Sequence, residues 1–335
     1  MNDKQNIVSV KENKNAIVLI ADRAYFPSAL FLLTKLRAFQ KKFDVFIISV
    51  DFVPDPIIVT QLGQSLVLFE SNQLASMSMP KNRANAFYVR FFIDTFLPPS
   101  YEKILYLDTD IRIGRDGLAD IFEVDMQSFP IAAIADSAEL MRPRDKAWRE
   151  YKIRLGHLNY ETFFNAGVML IDRKLYGEQK ICERVLDFLA SCSHKDCLDD
   201  QSALNAVLKN NWLELSPIFN WTITNRFWLL KEFDPILIHY VGRSKPWCDY
   251  KNRAPASYKA DMKQFYNSIG MGSAFVSYSL FHRFSMAAKN WVMHGVDLLG
   301  LDRRAQSIRR FMNPFRPSNV VRSMKNLSYE VDHLS

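Results

Sequence analysis

Two aspartates one residue apart close an apolar run: Ile104, Leu105, Tyr106 and Leu107 lead straight into Asp108, Thr109 and Asp110. Apolar residues without alternation suit a strand buried on both faces, as in a parallel sheet. Carboxylates do not belong inside such a strand. Asp108 and Asp110 are therefore expected at its carboxyl end, beside the crevice where open α/β sheets bind ligands. One intervening residue lets two oxygens converge on a divalent cation once the chain turns, and such a cation typically bridges nucleotide phosphates. The same pattern also serves as a helix cap or a solvated turn, and the pair alone leaves both readings open.

A second constellation lies far downstream, where the apolar run Ile236-Leu237-Ile238 ends in His239, followed by Gly242, Lys245, Pro246 and Trp247. His239 offers a nitrogen to the same cation. Gly242 lacks a Cβ and so admits close approach of backbone to a phosphate. Lys245 supplies a compact positive charge for a diphosphate, and Pro246 with Trp247 stiffens the turn. Each has an ordinary alternative in a capped strand end, a turn glycine or a solvated lysine, but the joint spacing favours a site.

The segments Tyr106–Ile111 and His239–Trp247 together resemble glycosyltransferase family 8, the retaining nucleotide-sugar transferases that include bacterial lipopolysaccharide galactosyl- and glucosyltransferases and glycogenin. Three further blocks fit in order: Ala16–Asp22 with Tyr25 after it, Phe164–Ile171, and Asp200-Gln201 preceded by Asp199. The resemblance covers residues 15 to 250 or so. It implies a GT-A-type nucleotide-sugar transferase fold and a metal-dependent hexosyltransferase that moves glucose or galactose from a UDP-sugar to a glycan acceptor. By the same resemblance, Ala21, Asp22 and Tyr25 would contact uracil and ribose, and Arg90 would lie near the donor. Asn165, Ala166, Asp136 and Asp200 would hold the sugar hydroxyls, and Gln201 would lie near the anomeric centre. Gln201 is a poor nucleophile, so its implied role is positioning in the transition state. Asp108, Asp110 and His239 would hold the metal, Mn²⁺ or Mg²⁺; mixed oxygen and nitrogen ligation admits Mn²⁺, whereas Mg²⁺ relies more on carboxylates and water. The chain departs from the family at Ala24, where many relatives carry a polar nucleotide contact, and at Ser202, where some carry another acid.

The elements that must position these residues alternate. Strands are expected at Ala16–Asp22, Phe43–Val50, Ile104–Leu107, Ile131–Ala135, Phe164–Ile171 and Ile236–Tyr240. Helices are expected at Pro27–Phe39, Asn82–Phe96, Leu118–Phe122, Glu178–Ser191 and Asp200–Lys209. Alternation of this kind predicts an α/β fold with a mainly parallel central sheet flanked by helices. No G-x-G-x-x-G or P-loop appears, which argues against dinucleotide enzymes and P-loop NTPases. The charged and aromatic stretch from Ala138 to Tyr160 reads either as part of an acceptor-side wall or as an exposed helix and loop.

Composition divides the chain. A length of 335 residues with 48% hydrophobic and 24% charged content is that of a folded chain with a substantial core. The net charge of +7 is matched by Ser279–Lys325 alone, where nine Lys and Arg meet Asp297 and Asp302. In that region Leu280, Phe284, Ala287, Ala288, Trp291 and Val292 recur at helical spacing, with Arg303-Arg304 and Arg309-Arg310 downstream. The expected organisation is a polar segment at 1–14, a catalytic domain at 15–265, and a helical, basic, amphipathic C-terminal extension at 266–335. The extension suits an anionic membrane surface, or else a helix packed on the catalytic domain with a solvated basic side. No nucleic-acid module accompanies the charge, and no nucleic-acid partner is expected. The opening stretch has no apolar leader core, no run approaches the ~18 apolar residues of a membrane span, and the four cysteines show no CxxC pairing. A cytoplasmic protein, peripheral on the inner face of the membrane, is expected. Two alternatives remain: a glycogenin-like initiator that glucosylates itself, and a catalytically silent glycan- or membrane-binding protein on the same fold.

Overall fold

A computed structural model describes residues 13–39, 42–74, 86–141, 146–158, 161–192, 199–222 and 230–301. The strands among them are β1 (Asn15–Ala21), β2 (Asp44–Val50), β3 (Leu66–Phe69), β4 (Lys103–Leu107), β5 (Ile111–Ile113), β6 (Ile131–Ala135), β7 (Phe164–Asp172), β8 (Leu213–Glu214), β9 (Trp221–Thr222) and β10 (Leu237–His239).

Seven of these form the central sheet in the order β3-β2-β1-β4-β7-β6-β8. Every neighbouring pair is parallel except those made by β7, which runs against both β4 and β6. The mainly parallel α/β fold expected from the sequence is therefore present, with one reversed strand. Successive residues of a strand face opposite sides, and the core divides accordingly. Ile17, Leu19, Leu105, Leu107, Val168 and Leu170 join one apolar layer with the helix Phe26–Leu36. Val18, Ile20, Ile104, Tyr106, Met169 and Ile171 join the other with the helices Ile181–Ser191 and Asp200–Leu208. Sandwiching on both faces is why Ile104–Leu107 of β4 and Val168–Ile171 of β7 are apolar without alternation.

A second, three-stranded sheet in the order β5-β10-β9 stands beside the first. β10 pairs antiparallel with β5 and parallel with β9, setting His239 opposite Ile111 and Ile238 opposite Trp221. The expected last strand thus leaves the main sheet.

The helices differ from expectation in places. The described part of Asn82–Phe96 is a short helix, Ala86–Val89, tightening into a 3-10 turn at Arg90–Phe92; residues 82–85 lie outside the described residues. The expected helix Glu178–Ser191 starts later, at Ile181, and a separate helix, Arg173–Glu178, precedes it; Lys180, with a left-handed φ of 50°, stands between them. The turn at Leu118–Glu123 is 3-10.

Beyond β10, the helix Ala256–Ser268 packs Met262 and Tyr266 against Phe31. It spans the expected boundary at residue 265. The helix Leu280–Leu298 then runs over the surface, capped by the Ser279 side chain. The basic pairs Arg303-Arg304 and Arg309-Arg310, and most of segment 1–14, lie outside the described residues. Among the described residues no helix is long and apolar enough to cross a membrane.

Candidate active site

β4 ends where Asp108 begins, and the Asp108 N–H still donates to the Gly167 carbonyl of β7 at 2.8 Å. The chain then turns through Thr109 and Asp110 into β5. Because β10 lies against β5, the Tyr240 N–H donates to the Asp110 carbonyl at 3.2 Å, and His239 arrives beside both carboxylates. One ligand atom from each of Asp108, Asp110 and His239 falls within 4.8 Å of the others.

Each of the three side chains has one atom held and one directed at the shared point. Asp108 Oδ1 accepts from the Tyr106 hydroxyl at 2.6 Å and from Arg90 Nη2 at 3.3 Å, leaving Oδ2 at 3.5 Å from His239 Nε2. Asp110 Oδ2 accepts from the Lys245 ammonium, leaving Oδ1 at 3.2 Å from the same Nε2. His239 Nδ1 meets the Asn220 side-chain oxygen at 3.0 Å. Asp110 Oδ1 is buried and accepts no hydrogen bond among the described residues. Two carboxylate oxygens and an imidazole nitrogen converging in this way fit a divalent cation of the Mn²⁺ or Mg²⁺ kind. Gly167 keeps the space open: a Cβ there would overlap His239 Cε1 and lie 2.8 Å from Asp108 Oδ2.

Charges in the surrounding shell are matched. Burial pushes the Asp110 carboxyl up, but His239 and Lys245 outweigh it and hold it well below the usual range. Burial would lower the Lys245 pKa, yet Asp110 raises it. Arg90 behaves likewise: its burial is outweighed by Asp200, Tyr106 and Asp108, so it stays charged. Arg90 Nη1 pairs with Asp200 Oδ2 at 2.8 Å, and the guanidinium lies 4.6 Å from the Tyr106 ring centroid. For Asp200 burial prevails, and its pKa rises despite Arg90.

The start of β7 carries a chain of amides. Gln201 Oε1 accepts from the Ala166 N–H and from Asn165 Nδ2, both at 3.1 Å. Gln201 Nε2 donates to Asp136 Oδ2 at 3.0 Å, and Asn165 Nδ2 reaches the same oxygen at 3.3 Å. Asn165 Oδ1 accepts from the Gly167 N–H at 3.1 Å and from Asn220 Nδ2 at 2.8 Å. Asp199 caps the helix Asp200–Leu208 by accepting from the Ser202 N–H, and Asn205 of that helix bonds both backbone groups of Phe164. The helix is thereby locked to the strand that carries Asn165.

The structure thus gathers Arg90, Asp108, Asp110, Asp136, Asn165, Ala166, Asp200, Gln201, His239 and Lys245 at one end of the sheet. The β1 end lies alongside them. Asp22 Oδ1 accepts from the Ala24 and Tyr25 N–H groups in the turn that leads into the helix Phe26–Leu36, and the Tyr25 ring meets Trp247 edge-on at 5.6 Å. Ala21 closes β1 and is buried. Gly242 has φ 81° with open space where a Cβ would stand, so backbone conformation demands glycine there. A cavity of about 330 Å³, lined by Asp136, Ala147, Trp148, Tyr151, Phe163, Asp199 and Gln201, opens beside the amide chain. Trp148 stacks on Tyr151 and meets Phe163 edge-on.

Sequence reasoning missed Asn220, Tyr106 and Asn205. Asn220 had one visible signal, a carboxamide inside the apolar run Ile218-Phe219-Asn220-Trp221. Tyr106 read as an interior strand residue, and Asn205 as an ordinary helix residue.

The family model for glycosyl transferase family 8 matches residues 16–251. Among curated proteins, the chain is 28% identical to the glycosyltransferase GlyA of Streptococcus pneumoniae over 71% of its own length and 33% of that protein's. It is 24% identical to the lipopolysaccharide 1,3-galactosyltransferase of Salmonella typhimurium, over 67% of this chain and 66% of that one. The chain spans between 22% and 59% of the length of the first curated relatives it matches. Among solved structures, the galactosyltransferase LgtC, in complex with donor and acceptor sugar analogues, superposes with a TM-score of 0.55 at 20% identity, covering 80% of this chain and 99% of that one. That likeness shows the shared fold.

Proposed function

This chain belongs to glycosyl transferase family 8, and we propose that it is a metal-dependent retaining hexosyltransferase, moving glucose or galactose from a UDP-sugar to a glycan acceptor. The observation that carries the reading is the convergence of Asp108 Oδ2, Asp110 Oδ1 and His239 Nε2, each on a side chain whose other polar atom is already held. Asp108, Asp110 and His239 would hold a cation there, which would supply positive charge to offset that of the donor's diphosphate. Lys245 and the open backbone at Gly242 face the same phosphates. Charge grows on the leaving group in the transition state, so a fixed ammonium placed against it lowers the barrier. Asn165, Ala166, Asp200 and Asp136 hold the sugar hydroxyls, and Gln201 positions the anomeric centre. Tyr25, Asp22 and Ala21 receive the nucleoside, with Trp247 behind Tyr25.

The acceptor enters through the cavity between Gln201 and the rings of Trp148, Tyr151 and Phe163. Aromatic faces beside carboxylates and an amide suit a sugar, which presents C–H groups to one and hydroxyls to the other. We assign the acceptor to lipopolysaccharide core or a related lipid-linked glycan, with residues 15–265 performing transfer and 266–335 holding the enzyme to the cytoplasmic face of an anionic membrane. Two observations support that assignment: the named activity of lipopolysaccharide-modifying relatives and the exposed apolar side chains of the helix Leu280–Leu298.

The test is release of UDP from UDP-glucose and UDP-galactose with Mn²⁺, Mg²⁺ or EDTA, comparing wild type with Asp110→Ala. Metal-dependent release that disappears in the variant is expected, and the better donor names the sugar. Failure to turn over either sugar, with no metal-dependent binding of UDP, would overturn the reading. Labelling of the protein itself by donor alone would move it to a self-glucosylating initiator.

A further inference from the structure

The amide chain that begins at Asp136 does not stop at the sugar side of the site; it runs through Asn220 to the histidine of the metal cluster. Its orientation follows from two backbone donors that cannot be reversed. The Ala166 N–H requires an oxygen, so Gln201 presents Oε1 to it and Nε2 to the Asp136 carboxylate. The Gly167 N–H requires an oxygen as well, so Asn165 presents Oδ1 to it and Nδ2 to Asp136 and Gln201. Only an N–H₂ group can then face Asn165 Oδ1, at 2.8 Å, which fixes Asn220 with Nδ2 toward Asn165. The Asn220 oxygen is left facing His239 Nδ1 at 3.0 Å, and that nitrogen must carry a proton. All three of Asn165, Asn220 and His239 are buried, so water offers no alternative partner.

We infer that Asn220 is a positioning residue for the metal site: it holds the proton of His239 on Nδ1, so that Nε2 is the nitrogen released for the cation shared with Asp108 and Asp110. The inference rests on the metal reading above. Were the proton to sit on Nε2, it would bond to Asp108 Oδ2 or Asp110 Oδ1 and occupy the place of the cation. The small sheet holds the two side chains together, since β9 begins one residue after Asn220 and pairs with β10, which ends at His239. Partners of this kind commonly set ligand tautomer and metal affinity.

Mn²⁺ binding to the full chain, followed by the EPR signal of free Mn²⁺, separates the possibilities without any turnover. Asn220→Ala removes the acceptor and is expected to weaken binding about 10- to 100-fold. Asn220→Asp keeps an oxygen for Nδ1–H while losing the donor to Asn165. It is expected to bind Mn²⁺ much as wild type does while transferring sugar more slowly. Equal Mn²⁺ affinity in Asn220→Ala and wild type would overturn the inference, as would equal loss in both variants. Wild type that binds no Mn²⁺ would instead sink the metal reading itself. Should a variant fail to fold, long-range ¹H–¹⁵N spectra of the wild type with Mg²⁺ decide the matter. A His239 proton on Nδ1 supports the inference, and one on Nε2 refutes it.

Discussion

The guanidinium of Arg90 bridges Asp108 and Asp200 and covers the Tyr106 ring, with only 7% of the residue exposed. Removing it leaves Asp200 buried without its cation. Breaking a buried pair in this way costs about 3–5 kcal/mol, more than the pair contributes over an apolar replacement. Arg90→Ala is therefore expected to lower the unfolding free energy measured in urea by that amount, and Arg90→Lys by less, since lysine keeps the charge but not the two-sided fork. Equal stability of Arg90→Ala and wild type would refute the pairing. At this scale the sequence was informative about Asp108, Asp110, His239 and Lys245, because strand-end carboxylates and a downstream imidazole carry chemistry in their residue types. It was silent on which oxygen of each aspartate is held. That depends on Tyr106, Arg90 and Lys245 meeting across long stretches of chain.

Among the elements, β4 was legible as an apolar run and β7 as a strand through its family block, but the direction of β7 was not, since a strand buried on both faces carries no signal of which way it runs. The three-residue strands β5 and β10 and the two-residue β9 are too short to show periodicity. Their pairing nevertheless carries His239 to Asp110. Gly167 lies where a Cβ would meet the side chains of His239 and Asp108, and the sequence offered it only as one residue of a family block. Gly167→Ala places a methyl group against rigid neighbours on both sides, and overpacking of this kind costs about 1–3 kcal/mol. The larger expected effect is local. His239 must move away from Asp108, so Mn²⁺ affinity and metal-dependent UDP release should both fall sharply while far-UV circular dichroism stays unchanged. Wild-type Mn²⁺ affinity in Gly167→Ala would show that the cradle is less tight than described.

For the whole molecule, the charge imbalance of the chain belongs to its C-terminal region, a fact available from the sequence. The structure adds the disposition of the helix Leu280–Leu298. It rests on the segment after Lys245 through His282 Nε2 against the Tyr250 carbonyl and Asn290 Nδ2 to the Lys251 carbonyl. Its other side exposes Leu280, Phe281, Phe284, Trp291, Val292, Leu298 and Leu299. The helix thus has one face packed and one face bare of contacts among the described residues. Co-flotation with vesicles containing anionic lipid is expected, weakening with salt and absent with purely zwitterionic vesicles. Phe284→Glu combined with Trp291→Glu should abolish flotation while leaving soluble-donor hydrolysis intact. Flotation unaffected by those changes would remove the helix from the attachment. One further consequence comes from the reversed β7. Asp108 and Asp136 follow the last residues of its neighbours β4 and β6, whereas Asn165 and Ala166 stand near the start of β7. The connection ahead of it contributes Ala147, Trp148, Tyr151 and Phe163 to the aromatic cavity, while the register of β7 is set by its pairing with β4, from Leu107 opposite Val168 to Lys103 opposite Asp172. On the proposed reading, changes in that connection would alter which acceptor fits while the donor-side residues on β7 keep their places.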